Sequence, residues 1–144
     1  VSKRLISTSA APPPAGSYAQ AVEASGPFVF ISGQTPRRPD GTRLADLPFE
    51  EQARQTMENI KALALAAGCD LATQCVQMTV YLRDLQNRDS FDRIMAEYVG
   101  QSPPARALVQ SDLAGAEMQV QAILAKQAPL SPDAQDGQSS ISAT

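Results

Sequence analysis

The chain has 144 residues, 43% of them hydrophobic and 19% charged, with a formal net charge of -3. That is the composition of one soluble domain with one core, and its acidic balance gives no electrostatic footprint for nucleic acid. No apolar run approaches the roughly 18–20 residues of a membrane span. The first residues, Val1-Ser2-Lys3-Arg4, lack an apolar signal core, so a cytoplasmic protein is expected.

In chain order, Ala10 to Gly16 (AAPPPAG) is a stiff, extended lead-in. Val29-Phe30-Ile31 reads as a buried strand closing on the glycine turn Ser32-Gly33-Gln34. Pro36 to Gly41 (PRRPDG) is a polar turn carrying an Asp-Gly signal. A long helix follows. Pro48 suits its first position, and Glu50 and Glu51 favour the positive end of its dipole. Phe49, Ala53, Met57, Ile60, Ala64 and Ala67 form one apolar face, and Gly68 is the stop. Asn59 reads as a support for helix packing or a loop.

Cys75 to Leu82 (CVQMTVYL) is rich in β-branched residues and reads as a strand. Asn87 or Asp89 is the expected cap of a second helix, with Phe91, Ile94, Met95 and Tyr98 as its buried stripe and Gly100 at its end. Ala105 to Gln110 is the next strand. In the last strand Met118, Val120 and Ala122 point one way, while Gln119 and Gln121 share the other face. Glu117 is assigned to the face opposite Gln119. The order β-β-α-β-α-β-β predicts a single α+β domain over residues 1–128, and the apolar-poor segment 129–144 reads as a mobile tail.

Histidine is absent, which removes Ser-His-Asp and Cys-His catalysis and His-based metal sites. Cys69 and Cys75 lack C-x-x-C spacing and read as free thiols, buried or half-buried. Arg106, at the mouth of an apolar strand, needs a partner. A guanidinium fork grips a carboxylate through two charge-assisted bonds, so that partner is either a substrate or an internal acid such as Asp112. Tyr18 is either a ligand-packing ring with a hydroxyl or a core-edge tyrosine. Ser32, beside Gly33, is either a ligand contact or a turn serine.

Several segments, in order, resemble the Rid/YjgF family of enamine/imine deaminase-type proteins. Ala11-Pro12 and Gly16 to Val22 (GSYAQAV) are similar to the family's AP…GPYSQAV. Phe28 to Pro36 (FVFISGQTP) is similar to its SGQ strand, Glu51 to Thr56 with Asn59-Ile60 to its helix, and Pro104-Ala105-Arg106 to its PAR. The resemblance covers about Ile6 to Ala125. It implies a bacterial chorismate-mutase-like fold, with one mixed sheet, two helices on one face, and a homotrimer with clefts between subunits. It implies that Arg106 binds a substrate carboxylate, helped by the amide of Leu108, while Tyr18, Ser32 and Gly33 line the cleft. It implies no metal or cofactor, and a small anionic imine or enamine as ligand.

The last strand departs from the family. Its two glutamates, the first of which helps activate water, align with Gln119 and Gln121. An amide can hold a water but cannot take its proton. Three readings follow: a hydrolytic deaminase giving a 2-oxo acid and ammonia, with Arg106 and Gln119 at the reacting centre; a relative with redirected chemistry, such as imine or enol tautomerisation or cyclisation; or a non-catalytic carboxylate-binding trimer. Nucleic-acid cleavage, suggested for relatives, gains little from the acidic balance.

Overall fold

The computed structural model describes residues 3–126. The expected tail, 129–144, lies outside them. Strand β1 (Lys3–Ile6) pairs antiparallel with β2 (Ala21–Ala24). The remaining elements are β3 (Phe28–Gln34), α1 (Phe49–Ala66), α2 (Leu71–Gln74), β4 (Cys75–Leu82), α3 (Arg88–Val99), β5 (Ala105–Gln110) and β6 (Met118–Ala125). Four strands form one sheet in the order β3-β6-β4-β5. Only β4 and β5 run parallel within it, and the crossover between them carries α3.

The α+β class follows the sequence pattern and the mixed sheet follows the resemblance, with two corrections. There are three helices rather than two, and β1-β2 is a small sheet of its own. Helix α2 is a single turn, too short to show a period. It is set by Asp70, whose carboxylate accepts the Ala72 N–H, and by the burial of Leu71. Helix α1 begins just after Pro48 and ends before Gly68, whose φ of +77° supplies the left-handed turn. At the other end of its role, Asn59 donates to the carbonyl of Arg37 at 2.8 Å and ties the polar turn to the helix.

The core lies on one face of the sheet. Met78, Val80 and Leu82 of β4 and Met118, Val120 and Leu124 of β6 are fully buried there. They cluster with Met57 and Ile60 of α1 and with Phe91, Ile94 and Met95 of α3. Each such side chain contributes about 1.5–3 kcal/mol by leaving water. The other face has no helix over it. It presents Gln77, Gln121 and Phe30 to solvent, and Phe30 is 73% exposed.

Candidate functional site

Arg106 sits second in β5, directly beside Met78 of β4, and so projects on the helix-covered face. Helix α3 meets it there. Its Nη1 donates to Asp92 Oδ1 at 2.7 Å and lies 3.3 Å from the sulfur of Met95. The guanidinium carbon stands 4.8 Å from the centre of the Tyr18 ring, a cation–π stack. The loop carrying Tyr18 is pinned from three sides. The Ser17 N–H donates to Asp92 Oδ1 at 2.9 Å, the Ser17 hydroxyl lies 3.2 Å from Oδ2, and the Ala19 N–H donates to the Pro104 carbonyl at 2.8 Å. A Cβ on Gly16 would come within 2.7 Å of Asp92 Oδ1, so only glycine lets the loop close on the ion pair.

Burial pushes the Asp92 carboxyl up, but the Ser17 N–H and the Arg106 guanidinium outweigh it and hold the group below the usual carboxylate range. The acid facing Arg106 is therefore Asp92, not Asp112, which is exposed beyond the end of β5. Above the pair lies a cavity of about 370 Å³, lined among others by Tyr18, Leu85, Arg88, Asp89, Arg106 and Leu108. Leu108 enters this wall on an edge strand, where outward backbone groups have no neighbouring strand.

Ser32, Gly33 and Gln119 make a second group. Ile31 faces Ala122 and Gln34 faces Val120, so Ser32 and Gly33 together oppose Gln121. That is a β-bulge, a device that re-aims side chains beside functional sites. A Cβ on Gly33 would lie 2.5 Å from the Gln119 amide nitrogen, so glycine is required for Gln119 to lie across the bulge. Ser32 is exposed, and its carbonyl accepts from the Gln34 side chain at 3.1 Å. Gln119 stands opposite Tyr81, and Gln121 opposite Thr79, on the face without helices.

Within one chain the two groups are separated by the sheet itself. Arg106 and Leu108 share the face of Met78 and Val80, whereas Gln119 and Gln121 alternate with Met118 and Val120 and face the other way. Glu117 does not oppose Gln119 as expected. Residues two apart share a face, and the Glu117 carboxylate lies 3.6 Å from Arg83 Nε just ahead of β6. A larger cavity of about 750 Å³ between the helices, lined by Glu58, Lys61, Leu65 and Tyr98, contains none of these residues.

Residues 8–125 match the model of the family described as Endoribonuclease L-PSP. The chain belongs to this L-PSP family, the family also called YjgF/Rid. A RutC family protein of Pyrococcus horikoshii is 42% identical over 108 residues, covering 75% of this chain and 84% of that one. Human 2-iminobutanoate/2-iminopropanoate deaminase is 36% identical over 108 residues, covering 75% and 77%. RidA of a Psychrobacter species from the Antarctic has a solved structure that aligns with a TM-score of 0.64 at 35% identity, covering 85% and 99%.

Membership in the L-PSP family places imine deaminases among the chain's relatives, and so supports a catalytic role at the family level. Among the described residues no helix is long and apolar enough to cross a membrane. No group of three or more His, Cys, Asp or Glu among them could hold a metal ion. Asp92 escaped the sequence reading, and Gly16 entered it only as part of the GSYAQAV segment, with no role of its own. Asp92 lies between Phe91 and the Ile94–Met95 pair, where the apolar stripe draws the eye. The signal was there in its position one turn ahead of Met95, on the helix that crosses to the strand of Arg106.

Proposed function

We propose that this L-PSP family chain is a hydrolytic deaminase of small enamine or imine carboxylic acids. The observation that carries the reading is Arg106, stacked on Tyr18 beneath a cavity of about 370 Å³. Its guanidinium would take the substrate carboxylate, with the Leu108 amide as a further donor and the Tyr18 ring against the conjugated carbons. The enamine tautomerises to an imine. Water adds to the imine carbon, the carbon–nitrogen bond breaks, and ammonia leaves with a 2-oxo acid as product. Orientation supplies much of the benefit, and the names of the human and goat relatives support this substrate class.

Three copies, in this proposal, pack their uncovered sheet faces around a threefold axis. The Arg106 group of one copy then meets the Ser32, Gly33 and Gln119 group of the next. Gln119 holds the attacking water through its amide. Exposed Phe28 and Phe30 on the uncovered face support such packing, because a large apolar patch on a sheet calls for cover.

One observation favours a second reading. Gln119 lies across Gly33, and the nearest acid along the strand, Glu117, faces Arg83. With no base beside the water, the same cleft would bind the imine or enol and steer its tautomerisation or cyclisation. Ammonia release from 2-aminoacrylate generated in situ separates the two. Activity in the wild type that vanishes in Arg106→Ala supports the deaminase. No wild-type activity, with activity gained in Gln119→Glu, supports redirected chemistry.

A further inference from the structure

Arg106 is the most buried member of any ion pair among the described residues, with 6% of its side chain exposed against 25% for Asp92. The hydrogen bonds described for its guanidinium run through Nη1, to Asp92 Oδ1 and to the Met95 sulfur. Its Nη2 lies against Gly16, where an added Cβ would come within 3.0 Å. Asp92 is thus a resident carboxylate that already occupies one arm of the fork. It cannot swing away cheaply, because it also accepts the Ser17 N–H and faces the Ser17 hydroxyl.

The other charged residues lining the cavity are Arg88 and Asp89, one of each sign. Arg106 and Asp92 add a second pair of opposite sign. The lining alone thus carries two arginines against one aspartate, and Asp92, bonded to Arg106 from outside the lining, balances the second arginine.

We propose that Asp92 sets the charge specificity of the Arg106 site: an entering carboxylate shares the guanidinium with a resident carboxylate instead of meeting an uncompensated cation. This rests on the reading of Arg106 as the ligand-binding group. Two carboxylates on one guanidinium repel each other, so the site rewards the ligand's negative charge only weakly. Shape, the Tyr18 ring and the strand backbone then carry more of the selection than charge does. Asp92 acts through Arg106 and is a specificity residue rather than a group that touches the reacting atoms.

The test is equilibrium binding of 2-oxobutanoate and its neutral analogue 2-oxobutanamide, by calorimetry, to wild type, Asp92→Asn and Glu51→Gln. Asparagine keeps an acceptor for Arg106 and for the Ser17 N–H while removing the charge. The expected result is that Asp92→Asn binds 2-oxobutanoate about ten-fold more tightly and leaves 2-oxobutanamide within about two-fold. Glu51→Gln, which changes the same net charge at an exposed position outside the cavity lining, should alter either ligand by less than about two-fold. Weaker 2-oxobutanoate binding in Asp92→Asn, or an equal change for both ligands, would overturn the proposal and make Asp92 a structural anchor. Should that variant fail to fold, wild type alone decides. A preference for acid over amide of about ten-fold or less is expected, and a larger one overturns the idea. No binding by either protein at about 10 mM also overturns it. Because the readout is binding, a protein that binds 2-oxobutanoate but releases no ammonia refutes the deaminase reading and leaves this one intact.

Discussion

The two faces of the four-stranded sheet differ in how far one chain completes them. Under the helices, Met78, Val80, Met118 and Leu124 are fully buried. On the reverse of the same strands, Gln77 and Gln121 reach solvent, with Phe30 beside them on β3. Arg106 belongs to the finished face. It is fixed by an ion pair, a ring stack and a pinned loop, all supplied by its own chain. Gln119 belongs to the unfinished face and lies across the bulge at Gly33. The contrast teaches that the proposed anchor and the proposed water holder lie in regions with different degrees of self-sufficiency. In the trimer proposal, one chain builds the anchor and the surface of another supplies the group opposite it.

The contrast can be sharpened most by Gln119→Glu. A base restored on the unfinished face should raise hydrolysis of 2-aminoacrylate by about 10²–10⁴-fold, read as ammonia release. Arg106→Ala attacks the finished face and should lower kcat/KM by about 10²–10³-fold, the loss expected for charge-assisted bonds to a carboxylate. It should also cost stability, since Asp92 loses its partner. Next in size is a pair of packing variants. Met57→Ala, under the helices, should cost about 2–5 kcal/mol in denaturant unfolding. Phe30→Glu, on the other face, should change the stability of a single copy by only about 0.5 kcal/mol yet shift the sedimenting mass toward that of one chain. An unchanged mass in both the wild type and Phe30→Glu, each corresponding to one chain, would break the trimer proposal.

The smallest effect concerns acid. The folded Asp92 carboxyl titrates below its unfolded value of about 3.9. Its contribution to stability is therefore fully present above about pH 4 and is lost as pH falls through the lower, folded value. Acid unfolding of Asp92→Asn should lack this part of the slope. Equal slopes in the two proteins would show that the Ser17 and Arg106 contacts do not survive in solution.

The elements with a period were legible. Helix α1 and strands β4 and β6 each repeat apolar residues over enough length to declare a face, and α3 shows its stripe. Strands β1 and β2 were not legible as a separate pair. Each has four residues, and what holds them is pairing such as Lys3 with Ala24, which no local pattern encodes. The candidate site was half legible. Arg106, Tyr18, Ser32, Gly33 and Leu108 were visible through motif order, and Gln119 through its departure from that order. Nothing local could show that β4 divides Arg106 from Gln119, because facing is a property of register between strands. Asp112 drew attention by nearness in sequence, whereas Asp92 reaches Arg106 through the packing of α3.

The one parallel pairing in the sheet has a consequence for motion. Strand β5 is joined to β4 by the segment that contains α3, and α3 carries Asp92 to Arg106. Any sub-global opening that lifts α3 must therefore release the Asp92 clamp and the Ser17 loop in the same event. Amide protons of α3 and the orientation of the guanidinium should share a single opening free energy, while the Gly33 bulge, on the opposite edge strand, keeps its own.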